Sequence, residues 1–258
     1  MSTAIVWSPE QYGRHADARL RPALDLLARV PLADARSLVD LGCGTGVLFA
    51  ALRARFPQAT LTGVDLSPEM LAKAAKADPA ATLIEADAAE WRPVEPVDLI
   101  LANASLHWVP DHERLLPALA RCCRVLAVQM PENFAAPSHR LVQELAAEPP
   151  WAEALAGVQL GRNLLPAARY HALLRAEGAA VDLWQTIYHQ EMSGAAPVLD
   201  WLKGTTLLPI QAALGAGSAA MAAFERELGA RLALAYPPDA AGRTLFPFQR
   251  LFMVAQRG

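Results

Sequence analysis

The clearest chemistry in the chain lies in three glycines and three aspartates. The segment DLGCGTG, residues 40–46, places Gly42, Gly44 and Gly46 at alternate positions behind Asp40. Glycine carries no Cβ, so such a run lets the backbone turn tightly and lie against a ligand. The helical pattern that follows points its positive dipole end at the same place. Asp65 closes a second apolar run and Asp87 a third. A carboxylate at a strand end can accept hydrogen bonds from both hydroxyls of a ribose. The glycines are followed by no lysine and do not form the GxxxxGKS/T phosphate cradle, and the acidic Asp40 beside the loop disfavours a pyrophosphate.

These groups can meet only if the chain places them at one edge of a sheet. Leu20, Leu24, Leu27 and Val30 recur at helical spacing, with Pro22 expected in the first turn. Residues 37–41 read as a strand opening into the glycines, followed by a helix to about Phe56. Residues 59–65 read as a second strand, after which Ser67, Pro68 and Glu69 signal a helix start. Further strands are expected over 81–87, 97–105 and up to Pro131, with a helix from Asp111 to Cys122 and a very tight connection behind it. Strands alternating with helices imply a parallel α/β sheet, which binds ligands at the carboxyl ends of its strands. Residues 179–190 and 244–256 add two strands at an antiparallel edge, making seven in a mixed sheet. Between them, residues 192–243 are punctuated by Gly and Pro around a helical run over 217–235, an inserted helical cap.

Composition narrows the partners. The chain has 258 residues, 53% hydrophobic, with 23 basic and 26 acidic side chains for a net charge of -3. That length fits one large domain, and the near-balanced charge offers no basic patch for nucleic acid. No apolar run approaches the roughly 20 residues of a membrane span, and the N-terminus lacks a leader pattern, so a cytoplasmic protein is expected. Cys43, Cys122 and Cys123 cannot build a disulfide framework or a closed metal site, so no metal is expected.

With DLGCGTG, TGVDLSPEMLAKA, EAD, DLILANASLHWVPDHERLLP, LAVQMPEN and FQRLFMVA in view, the sequence resembles the class I S-adenosylmethionine-dependent methyltransferases, and within them the trans-aconitate methyltransferase family. The resemblance covers most of the chain. It implies a Rossmann-like sheet with an N-terminal helical segment (1–30) over the active site, a cofactor-binding core (31–191), the cap (192–243) and a last strand (244–258). It also implies S-adenosylmethionine as cofactor and S-adenosylhomocysteine as product. Gly42, Cys43, Gly44 and Gly46, with Asp40, would surround the methionine moiety, and Asp65 would hold the ribose. Asp87 and Ala88 would lie beside the adenine with Leu66 packed on it, and Asn103 would line the methionine and substrate side.

For a carboxylic acid acceptor, the oxygen is already ionised at neutral pH, its reference pKa being about 4, and no general base is required. A phenol, amine or carbon acid would instead ask His107 for a base. Groups able to position a small carboxylic acid are Tyr12, Arg14 and His15, His107 and Trp108 after the fourth strand, Tyr188 and His189 at the end of the sixth, and Arg243 and Arg250 around the last. In the cap, Leu208 stands where the resemblance implies an arginine. A monomer or homodimer is expected, with a small acid as its partner. The alternatives are an O-methyltransferase for another acid such as a malonyl thioester, and a non-catalytic S-adenosylmethionine-binding module.

Overall fold

The structure, a computed structural model, describes residues 16–160 and 164–258. The described chain divides into two compact units, one of residues 16–131, 164–186 and 250–258, the other of 132–160 and 187–249.

The first unit is built on strand–helix alternation. Helix α1 (Ala16–Ala28) leads to β1 (Ser37–Leu41), α2 (Phe49–Arg55), β2 (Thr60–Asp65), α3 (Pro68–Ala77), β3 (Thr82–Glu85), β4 (Val97–Asn103), a 3-10 turn (Leu106–Trp108), α4 (His112–Arg121) and β5 (Cys123–Pro131). Helix α7 (Ala167–Ala176) and parts of β6 (Ala180–Ser193) and β7 (Arg243–Gln256) complete it. The seven strands run in the order β3-β2-β1-β4-β5-β7-β6. Strands β1 to β5 pair in parallel, and β7 enters antiparallel to β5. The last two strands are thus neighbours, with β7 on the inside. The order reverses between β1 and β4, the switch point where open α/β sheets bind ligands.

The apolar runs of β4 and β5 are buried on both faces, as parallel strands covered by helices require. One face carries a core of Val39, Ile100, Ala102, Leu126, Val128, Leu251 and Met253, on which Leu116 and Leu119 of α4 and Tyr170 and Leu174 of α7 pack. By the alternation of side chains, Asp40, Asn103, Gln129 and Arg250 belong to the opposite face. Leu99, Ile100 and Leu101 are wholly buried, and truncating one to alanine costs about 2–5 kcal/mol.

Local chemistry fixes the joints. The Ser67 hydroxyl accepts the Met70 amide proton, with Pro68 at the first helical position, so the chain enters α3 directly after β2. Cys122 alone connects α4 to β5, the tight joint expected from the sequence. Pro22, expected in a first turn, sits in the interior of α1, because the helix begins at Ala16. Strand β6 runs on past His189 to Ser193, because Tyr188 and Met192 keep the in-out alternation until Gly194, at φ +129°, ends it.

The second unit contains α5 (Pro137–Ala146), α6 (Ala152–Leu155), α8 (Pro197–Lys203), α9 (Leu208–Leu214) and α10 (Ala219–Ala235) with the remaining parts of β6 and β7. Helix α10 packs on α5 and α8. Trp201, Tyr236, Phe246 and Phe248 meet largely edge to face, and the Tyr236 hydroxyl accepts the Ser138 amide proton, which has no partner inside α5. Among the described residues no helix is long and apolar enough to cross a membrane.

Candidate active site

The glycine segment folds against two neighbours. The amides of Gly42 and Cys43 both donate to the Val64 carbonyl, at 2.7 and 3.0 Å. Gly42 has φ +79°, and a Cβ there would lie 2.2 Å from the Ser105 Cβ. No other residue type fits. Ser105 is held in place by donating its hydroxyl to the Leu41 carbonyl at 2.7 Å. The Asp65 carboxylate then ties loop to helix, since Oδ2 accepts the Gly44 amide at 2.8 Å and Oδ1 the Ser67 amide at 2.9 Å. Each oxygen keeps acceptor capacity for a further donor. Leu66, next in the chain, is 66% exposed, a large apolar side chain left open to solvent beside the loop.

Asp40 lies behind the loop, 2% exposed. Burial, and secondarily the negative charge of Asp65, raise its carboxyl to about 7. The charged form is disfavoured there, and a cation arriving nearby would favour it. The Cys43 thiol is pushed strongly upward by burial, then by Asp40 and Asp65, so it is no nucleophile.

Across the switch point a polar row continues on the same sheet face. Asp40 pairs with Leu101, two residues before Asn103; Asn103 pairs with Gln129; and Pro131 pairs with Arg250. Gln129 is wholly buried, and its Oε1 accepts from Arg250 Nη1 at 3.1 Å, Arg250 as a residue being 3% exposed. Among the described residues, the buried Asn103 Oδ1 and Gln129 Nε2 have no hydrogen-bond partner. Sequence reasoning missed Gln129; its one signal is a lone amide in the apolar run VLAVQMP.

Comparison with known proteins decides the family. A model of the methyltransferase domain matches residues 38–129, which include the glycine loop, Asp65 and the polar row as far as Gln129. The trans-aconitate 2-methyltransferase of Azoarcus sp. (strain BH72) is 49% identical over 256 residues, 97% of this chain and 99% of that one. The chain belongs to the trans-aconitate 2-methyltransferase family. Among solved structures, the YcgJ protein of Bacillus subtilis superposes with a TM-score of 0.59 at 14% identity, covering 91% of this chain and 97% of that one. Phosphoethanolamine N-methyltransferase 2 of Haemonchus contortus, in complex with S-adenosyl-L-methionine, gives 0.52 at 16% identity, covering 92% and 53% respectively. At such identities these two show the fold alone, a Rossmann-like class I methyltransferase sheet.

In this member of the trans-aconitate 2-methyltransferase family, the 3-10 turn after β4 carries His107 and Trp108, whose ring centroids lie 5.0 Å apart. A buried relay holds that turn. His112 Nε2 donates to the Leu106 carbonyl at 2.9 Å, which fixes the tautomer and leaves Nδ1 to accept from the Tyr170 hydroxyl. The Tyr170 oxygen in turn accepts the Leu165 amide at 3.1 Å. Burial lowers the His112 pKa, so the ring remains neutral.

Other expected positions fall elsewhere. Tyr12, Arg14 and His15 lie outside the described residues. Asp87 does not end β3, which stops at Glu85; its carboxylate bends back to accept the Ala89 amide at 2.8 Å, turning the chain out of the sheet, with Ala88 half-buried beside it. Tyr188 is buried and His189 exposed along β6 rather than at its end. Arg243 is an exposed partner of Asp239 and Glu191, which occupy its charge within the second unit. Leu208 is the first residue of α9. Among the described residues, no group of His, Cys, Asp and Glu is arranged to hold a metal ion.

Proposed function

We propose that the chain transfers a methyl group from S-adenosylmethionine to a carboxylate oxygen of a small polycarboxylic acid, trans-aconitate, giving the methyl ester and S-adenosylhomocysteine. The observation that carries this reading is the 49% identity, over nearly the whole of both chains, to a protein of that name.

The residues fit the cofactor. It has no phosphate, and the loop has neither lysine nor arginine; it carries a sulfonium and an ammonium, and the carboxyls of Asp40 and Asp65 stand at the loop. When bound, S-adenosylmethionine supplies an electrophilic methyl on a positively charged sulfur. Gly42, Cys43, Gly44 and Gly46 give the backbone approach, and Asp65 accepts from the ribose hydroxyls with its remaining lone pairs. Leu66 would cover one face of the adenine, with Asp87 and Ala88 at its side. Asn103 Oδ1, a buried oxygen without a partner among the described residues, would accept from the methionine ammonium.

On the acceptor side no proton has to be removed, since the carboxylate is ionised at neutral pH. The protein's task is alignment and exclusion of water; good alignment of reacting groups is worth up to about 7–11 kcal/mol. His107 and Trp108 orient the acid, and Arg250 supplies a cation where a carboxylate would otherwise be buried uncompensated. Tyr12, Arg14, His15, Tyr188 and His189 are the further positioning candidates.

The test is a panel of mono-, di- and tricarboxylates incubated with S-adenosylmethionine and read by mass spectrometry for the gain of one methyl group. Trans-aconitate should give the fastest turnover. No methyl gain on any acid of the panel, or a gain that mild alkali does not remove as it would remove a methyl ester, would refute the carboxylate assignment. Calorimetry with S-adenosylhomocysteine tests the cofactor side, since Asp65→Ala should lower its affinity at least tenfold.

A further inference from the structure

The polar row across β4, β5 and β7 is more than one cofactor contact requires. Gln129 lies inside a strand and wholly buried, a place that ordinarily takes an apolar side chain. Its amide orientation follows from chemistry, because a guanidinium has only donors and Oε1 must therefore face Arg250. That leaves Nε2, with its hydrogens, buried and without a partner among the described residues. Such a donor is costly to leave unsatisfied, and its need is met by an acceptor brought in from outside. Since Arg250 sits beside it, that acceptor is anionic.

We propose that Gln129 Nε2 and the Arg250 guanidinium form an anion subsite that takes a carboxylate of the acceptor other than the one methylated, making Gln129 a specificity-determining residue. The proposal rests on the polycarboxylic acid reading above. The sheet gives the spacing. Neighbouring strands are about 4.8 Å apart, so Gln129 on β5 and Arg250 on β7 stand roughly 5–10 Å along the sheet from Asn103 on β4. One carboxylate of a small tricarboxylic acid can then react near the switch point while another reaches this pair. A monocarboxylate leaves Gln129 Nε2 without an acceptor, and the enzyme discriminates against it for that reason.

The experiment titrates trans-aconitate into the full-length protein loaded with S-adenosylhomocysteine, comparing wild type with Gln129→Met and Gln129→Glu. The first keeps the shape and removes the donor. The second keeps an oxygen for Arg250, replaces the donor by an anion, and decides the matter should the first not fold. Each should weaken trans-aconitate at least tenfold while the S-adenosylhomocysteine Kd stays within twofold, and in turnover the loss should appear in KM with kcat nearly unchanged. Wild-type affinity for trans-aconitate in the variants overturns the subsite. An equal loss of both ligands makes Gln129 a residue of sheet integrity and also overturns it. A wild-type protein that binds S-adenosylhomocysteine but no di- or tricarboxylate refutes the acceptor reading itself, and the subsite with it.

Discussion

Replacing Asp40 by asparagine should make the protein more stable at neutral pH, although it removes a charge from the proposed cofactor site. The folded state holds this carboxyl at about 7 against an ordinary 3.8. The difference is about three units, or ~4 kcal/mol at 1.36 kcal/mol per unit. Below pH 4 the group is protonated folded or unfolded and nothing is lost. Between pH 4 and 7 the unfolded chain releases this proton while the folded chain retains it. The unfolded state therefore binds fewer protons, and stability falls as pH rises, by up to about 1.4 kcal/mol per unit. Above pH 7 both states are ionised and the full cost is present. Asp40→Asn should match wild type near pH 4 and exceed it by about 2–4 kcal/mol at pH 7.5, the lower figure allowing for relaxation around the charge. Urea unfolding at pH 4.5, 6 and 7.5 measures this, with an unchanged m-value showing that the states compared are the same. The same pH slope in variant and wild type would refute the account of Asp40 as an acid whose charged form burial disfavours. A companion measurement uses the cofactor's charge. Binding of S-adenosylmethionine near pH 7 should release a fraction of a proton from wild type and none from Asp40→Asn, read from calorimetry in buffers of different ionisation enthalpy.

Other perturbations test the remaining contacts. Gly42→Ala meets Ser105 at 2.2 Å with φ +79° and should cost about 2–5 kcal/mol by thermal unfolding, from strain plus overpacking. Gly44→Ala has open space within 4 Å and should cost only about 1–2 kcal/mol of backbone strain; equal losses at both positions would contradict the loop geometry. Tyr170→Phe leaves His112 Nδ1 without its donor and should destabilise by about 1–3 kcal/mol in chemical denaturation. His112 is held below its ordinary 6.5 by burial, so its contribution is full above that pH and declines as pH falls, and His112→Gln should flatten that part of the stability profile.

Much of the fold was readable because its signals are local. Gly42, Ser67 with Pro68, and the alternation of apolar runs with helical periods each report on a few neighbouring residues, and they located β1, β2, α3 and β4 closely. Boundaries went astray where a side chain competes with the ladder or a pattern outlasts its expected end, as at Asp87 and in β6 beyond His189. The candidate site divides along the same line. Its cofactor half stands in consecutive motifs, and the Asp65 bridge needs only Gly44 and Ser67 beside it. The acceptor half depends on strand register between distant segments. Nothing local distinguishes Gln129 from a tolerated amide until β7 lies antiparallel to β5 and brings Arg250 to its side. Arg14, Arg243 and Arg250 looked alike as cations in the sequence; burial and pairing separate Arg243 from Arg250, and Arg14 is outside the described residues.

The double acceptance by Asp65 has a kinetic consequence. Its two oxygens hold the Gly44 and Ser67 amides, one each, so neither proton exchanges with solvent unless the carboxylate rotates or the loop opens. Rotation frees both at once. Hydrogen exchange at these two amides should therefore follow a single opening rate, and a ligand that engages the carboxylate should slow both by the same factor, reporting its binding without turnover.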